Sequence, residues 1–302
     1  MLRIKFSGGR QFCASKSPTS CSCKTLPVIL IDTNRKIKNK LKLKIYQIDA
    51  FTNQVFSGNP AAVCPLDNWI EDDILQKIAN ENNLAETAFY VKKDGYYEIR
   101  WFTPTVEVDL CGHATLAAAF VLFNFENHLN NEINFISHRS GKLDVMRNES
   151  LLSLNFPTDN FESINISNEI LDSFNLAPIE AYKGKTDYLL IYQNEEQIRN
   201  LIPFLDKIET LKVRGVIVSA KGKTVDFVSR FFAPQSGINE DSVTGSAHTT
   251  LTPYWSKKLE KQELSAIQLS KREGHLKCKF LEDRVEISGE AKLYLTGEIN
   301  LK

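Results

Sequence analysis

The chain has 302 residues, of which 42% are hydrophobic and 25% charged, a globular composition with room for about two domains of roughly 150 residues each. Its 37 basic and 37 acidic side chains cancel, but residues 1–44 hold eleven Lys and Arg against Asp32 alone, so the remaining body is acidic and no nucleic-acid partner is expected. The apolar stretch from Ala114 to Phe123 is ten residues long, well short of the ~20 needed to cross a bilayer, so no membrane partner is expected either.

The leader carries Arg3, Arg10, Lys16 and five serines, which fits an organellar transit peptide or, more plainly, an untidy N-terminal extension. It holds Cys13, Cys21 and Cys23, whereas Cys64, Cys111 and Cys278 are scattered through the body with no CxxC pair. That usage points to a reducing compartment and a cytoplasmic location. Order is expected from residue 45, where IYQIDAF reads as a strand, followed by turn punctuation at Gly58-Asn59-Pro60. Ile74, Leu75, Ile78 and Ala79 predict a helix from Glu71 to about Asn82-Asn83.

LAETAFYV and YYEIRWF then read as a hairpin turning at Asp94-Gly95, and ATLAAAFVLF as a helix apolar on every side. A second hairpin is expected between Phe135 and Phe156, and a helix over 167–175 with Ser167 as its N-cap. GKTDYLLIY and RGVIVSA read as strands with a helix around 195–208 between them. AIQLSK, HLKCKFL, DRVEISG and LYLTGEI complete the chain as four short strands.

One phrase occurs twice. Arg100-Trp101-Phe102-Thr103-Pro104 is matched by Arg230-Phe231-Phe232-Ala233-Pro234, and each copy is followed by a Gly-x-Ala that opens a helix, at Gly112 and Gly245. This predicts a duplicated α+β chain, with an extension over 1–44 and halves at 45–155 and 156–302, each a sheet rolled around one apolar helix. Two helix starts facing one cleft would offer amide hydrogens and positive dipole ends to a substrate carboxylate.

Glu86, a lone carboxylate among Leu84, Ala85, Ala88 and Phe89, suits a general acid and base if it is buried; a solvated strand glutamate is the plain alternative. Asp241 could serve in the same site or as an N-cap. His113 is expected to be held neutral by the helix dipole and Cys111 to be activated as a thiolate, while Thr244 at the matching place excludes a symmetric pair of thiols. His248 and His275 read as structural, and without HExxH, GxGxxG or P-loop spacing neither a metal nor a cofactor is expected.

IYQIDAFT, FSGNPAAVC, NLAETAFYV, RWFTPTVEVDLCGHATLAAA and RFFAPQSGINEDSVTGSAH, in that order, resemble the PhzF family of phenazine-biosynthesis-like isomerases, and its eukaryotic members in particular. The resemblance implies the diaminopimelate-epimerase-like fold and cofactor-independent isomerisation of a small carboxylate, with a homodimer as a family-level expectation. It assigns the proton-shuttling glutamate to Glu86, the supporting histidine, aspartate and serine to His113, Asp241 and Ser246, and carboxylate binding to Gly112 and Gly245 between Cys111 and Thr244. Ser242 stands where the family pattern has proline, and Glu273, His275 and Glu290 depart from it near the C-terminus. The alternative is a non-catalytic ligand-binding or scaffold protein that keeps the fold.

Overall fold

Eighteen strands joined in one hydrogen-bonded network span residues 41–301, the part of the chain that the computed structural model describes. The reading of the leader as a transit peptide or a plain extension, and its three cysteines, fall on residues outside those described. Residues 41–44, placed in the extension by their composition, are strand: β1 runs Leu41–Ala50. It is followed by β2 (Asn59–Leu66), α1 (Asp72–Asn82), β3 (Glu86–Lys92), β4 (Tyr97–Phe102), β5 (Glu107–Val108), α2 (Gly112–Asn124), β6 (Glu132–Ser137), β7 (Gly141–Asn148), β8 (Leu151–Pro157) and β9 (Glu162–Ser163). Then come α3 (Asn168–Leu171), β10 (Glu180–Lys183), β11 (Asp187–Ile191), α4 (Glu195–Arg199), α5 (Leu205–Glu209), β12 (Gly215–Lys221), β13 (Phe227–Ala233) and β14 (Ile238–Asp241). A 3-10 turn at Gly245–Ala247 leads into α6 (His248–Leu259), and β15 (Glu263–Gln268), β16 (Gly274–Leu281), β17 (Arg284–Gly289) and β18 (Ala291–Leu301) close the chain.

The pairing repeats step for step. β1–β2 is antiparallel, β2–β3 parallel, β3–β4 and β4–β5 antiparallel, β4–β6 parallel, and β6–β7 and β7–β8 antiparallel. The same seven relations recur among β10 to β17. The fold is therefore α+β with two pseudo-symmetric halves of the diaminopimelate-epimerase-like kind. They exchange their last strands: β9 pairs with β10, β18 with β1, and β8 meets β17 between them. A division drawn at 155/156 falls inside β8.

Each rolled sheet encloses one helix, and in the first half that helix, α2, has no polar side to leave in water. α2 buries ten of its residues, from His113 to Phe123, and shares a single core with Leu251, Tyr254 and Trp255 of α6. Trp255 stacks on Phe227 at 5.9 Å and donates its indole N–H to Ser219 Oγ at 2.8 Å, so its one polar atom is satisfied at depth. The remaining helices cover outer faces: α1 packs on β2 and β3, and α3 to α5 lie over β11 to β13.

The repeated phrase has a structural role in both halves. Arg100 grips Glu107 with two hydrogen bonds of 2.8 and 2.9 Å and lies over the Phe102 ring; Arg230 grips Glu240 at 2.7 and 3.0 Å and lies over Phe232. Each pair ties a short return strand to the strand before it and sets the direction in which the chain enters the helix.

Three readings change. Asn59 and Pro60 open β2; the turn lies upstream, where Phe51, Phe56 and Gly58 have positive φ and a Cβ on Gly58 would strike the Ala50 carbonyl at 2.2 Å. The helix expected over 167–175 stops at Leu171, and Ser167 makes no capping bond with its side chain, because Phe174 is drawn into a bridge with Pro203. The helix expected around 195–208 is split into α4 and α5 by the same bridge, at a proline with no N–H to give a continuing helix.

Candidate active site

The two helix starts meet. A Cβ built on Gly112 would lie 3.8 Å from Gly245 Cα and 3.6 Å from Phe156 Cζ, and one on Gly245 would lie 3.9 Å from Gly112 Cα. These are ordinary van der Waals separations, so packing alone does not demand glycine at either position.

Glu86 is the first residue of β3, where the chain enters the sheet beside α2. Its side chain is 12% exposed and that of His113 6%, and Glu86 Oε2 faces His113 Nε2 at 3.1 Å. The approach is close but poorly aligned, and both atoms are buried without a hydrogen bond. On the other side of the ring, His113 Nδ1 lies 3.5 Å from Cys111 Sγ and 3.2 Å from Asn59 Nδ2. Asn59 then crosses to the other half, donating to Asp241 Oδ1 at 2.8 Å and to the Val243 carbonyl at 2.9 Å. Thr244 donates its hydroxyl to Asp241 Oδ2 at 2.5 Å. Gln268, fully buried at the end of β15, accepts the Thr244 N–H at 2.8 Å and donates to the Asp241 carbonyl at 2.9 Å.

Seven of the eight site residues predicted from the sequence thus fall in connected positions: Glu86, Cys111, Gly112 and His113 with Asp241 and Thr244 through Asn59, and Gly245 through the glycine contact. Ser246 does not enter the hydrogen-bonded cluster; its hydroxyl accepts a bond from Arg214 Nη2 at 3.1 Å and lines a cleft that Phe156 shares with the Gly112 position. Asn59, Gln268 and Arg214 were missed. Asn59 was read as turn punctuation, although it stands inside one of the quoted motifs, and a polar residue at a strand end, such as Gln268, gives no signal in a single sequence.

Electrostatics correct two expectations. Burial works against a charged His113, but Cys111 and the Glu86 carboxylate outweigh it and hold the imidazole well above its usual value, against the helix dipole. Cys111 is not activated: burial, helped by Glu86, pushes its thiol up to about 11. Part of Asp241 reaches the surface, yet burial of its carboxyl raises it above the usual aspartate range, with Glu86 adding and His113, Thr244 and Asn59 opposing. His248 is structural, with Nδ1 at 2.9 Å from the Thr244 carbonyl.

Glu86, Cys111 and His113 bring three ligand-type atoms within 4.8 Å of one another. The imidazole turns a different nitrogen to each neighbour, so an ion held on one side of the ring would lose the ligand on the other.

The family model for phenazine biosynthesis-like proteins, PhzC-PhzF, matches residues 48–297. The chain belongs to the PhzF family. An uncharacterized isomerase of Pseudomonas aeruginosa is 48% identical over 261 residues, covering 86% of this chain and all of the relative. The mouse phenazine biosynthesis-like domain-containing protein 1 is 39% identical over 289 residues, covering 86% of this chain and 99% of the relative. The expected nearness to eukaryotic PhzF proteins is thus reversed between these two. A crystal structure of a PhzF-family protein from Enterococcus faecalis superposes with a TM-score of 0.84 at 46% identity, over 86% of this chain and all of that one. As a PhzF-family member the chain is an isomerase, with Glu86, His113 and Asp241 gathered where its halves meet.

Proposed function

We propose that the protein is a cofactor-independent isomerase that moves a proton between two carbons of a small carboxylate substrate, with Glu86 as general acid and base. The observation that carries this reading is the pair of buried atoms, Glu86 Oε2 and His113 Nε2, that face each other and make no hydrogen bond. Neither is engaged in a hydrogen bond, and a carboxylate enclosed beside an imidazole is suited to taking and returning a proton.

In this reading Glu86 removes the proton from a carbon next to the substrate carboxylate, and the electron pair left behind spreads into that carboxylate. The amides of Gly112 and Gly245 at the helix starts, between Cys111 and Thr244, stabilise the growing negative charge. The substrate carries a C=C bond next to that carbon, so the electron pair forms a new C=C bond, the old one opens, and Glu86 delivers its proton to the far carbon, where the displaced π pair forms the new C–H bond. His113 faces Glu86 and supports it by its charge, Asp241 holds Asn59 and Thr244, and Ser246 bounds the substrate space from the second half.

The test is incubation of the wild type and Glu86→Gln with a panel of small carboxylates in heavy water, read by mass spectrometry. Deuterium should enter one compound with the wild type and fall by about 10²–10⁴-fold with the variant. Equal incorporation by both proteins would remove Glu86 from this role. Compounds that bind yet never gain deuterium would favour a ligand-binding protein.

A further inference from the structure

The places in the second half that mirror Glu86 and His113 carry different groups. Arg100 pairs with Phe89 and Arg230 with Val218, so Glu86, three residues before Phe89, is matched by Gly215, three before Val218. Counting from Gly112 and Gly245, His113 is matched by Ser246. In place of a carboxylate, the guanidinium of Arg214 stands one residue before Gly215.

Arg214 is held firmly. Its Nε donates to Asp187 Oδ1 at 2.9 Å, Nη2 binds Asp187 Oδ2 and also donates to Ser246 Oγ at 3.1 Å, and the Phe231 ring lies 5.4 Å beneath. Among the described residues Nη1 has no acceptor. Because Ser246 Oγ accepts from Arg214, its own hydrogen is left to donate onward, and it has no acceptor among the described residues. Nη1–H and Oγ–H are thus two donors on linked side chains, a match for the two oxygens of a carboxylate.

Both side chains line a cleft of about 460 Å³ together with Leu110, Phe156 and Lys185, and Phe156 also reaches the Gly112 position. The acids of the cleft are occupied. Asp187, 3% exposed, is buried behind Arg214, which is 40% exposed, and Asp159 accepts from Thr250 Oγ at 2.8 Å and from the Lys185 amide at 3.1 Å. Arg214 and Lys185 are exposed and Asp159 is half-buried, so the more accessible charges of the cleft are positive.

We propose that Arg214 and Ser246 bind a second carboxylate of the substrate, remote from the carbon that loses its proton, so that the enzyme prefers small dicarboxylates. The inference rests on the proposed reading that Gly112 and Gly245 hold the first carboxylate. It is tested by calorimetric titration of butyrate against succinate, glutarate and adipate. The proteins compared are the wild type, Ser246→Ala, Glu86→Gln and the double variant Asp187→Asn with Arg214→Met, which leaves no uncompensated charge to unfold the protein.

The best dicarboxylate should bind the wild type at least about tenfold tighter than butyrate. That advantage should shrink in Ser246→Ala, vanish in the double variant and survive in Glu86→Gln. Wild-type binding in which no dicarboxylate exceeds butyrate, or an advantage unchanged in the folded double variant, overturns the proposal. Since the titration needs no proton transfer, loss of deuterium exchange without loss of the preference would count against the acid and base role alone.

Discussion

Gly112 and Gly245 separate what packing requires from what function requires. An added methyl at either would meet its neighbours at 3.6–3.9 Å, and alanine is the better residue in a helix, so Gly112→Ala and Gly245→Ala should leave stability unchanged or raise it by about 0.5–1 kcal/mol. If the amides there hold the substrate carboxylate, deuterium exchange should nevertheless fall at least about tenfold. Denaturant titration and the heavy-water assay together check this; unimpaired exchange would mean that the amides are not used. Cys111 offers a second check: with its thiol buried and pushed up to about 11, it should resist alkylation in the folded protein at neutral pH, while labelling readily once unfolded. Glu86 stood out in the sequence as a lone carboxylate among apolar neighbours and His113 as a histidine at a helix start, and the family resemblance gave both their roles. Asn59 and Gln268 did not stand out, since their importance lies in which half they reach across to, a property of the fold rather than of the neighbouring residues.

Elements with one dominant local signal were legible. α2 is apolar throughout and could only be enclosed; α1 carries acids in its first turn and ends at Asn83 in the left-handed conformation. α3, α4 and α5 were not legible, because the bridge between Phe174 and Pro203 sets where they stop and joins residues far apart in the chain. α6 carries a prediction of its own. His248 at its start is fully buried, and burial pulls its pKa down to about 4, whereas an unfolded chain returns it to about 6.5. Between those values the unfolded chain binds a proton that the folded one does not, so stability falls as pH drops through that window. His113, raised rather than lowered, is common to wild type and a His248 variant and cancels between them. The difference in unfolding free energy between wild type and His248→Gln should therefore shift against the wild type from about pH 6.5 to about pH 4.5, in a denaturant series that cancels the shared carboxylates.

At the scale of the molecule, the duplication could be read from the repeated phrase, but the strand exchange could not: no local feature of β18 says that it will lie against β1 rather than against its own half. The exchange predicts that neither half stands alone. A protein ending at Glu290 lacks the strand that covers Leu43, Tyr46 and Ile48, and should lose cooperative unfolding. Fragments divided between β9 and α3 should each be unfolded alone and recover the native circular dichroism when mixed; a fragment that folds alone would contradict the interdependence.

The pairing of Leu41 with Leu301 also orders events in time. Among the described residues, the first strand made during synthesis has as its neighbour the last. Until β18 has been made, β1 waits with an open edge in the crowded cell, so folding depends on slow, late closure and, before it, on whatever shields nascent chains from one another.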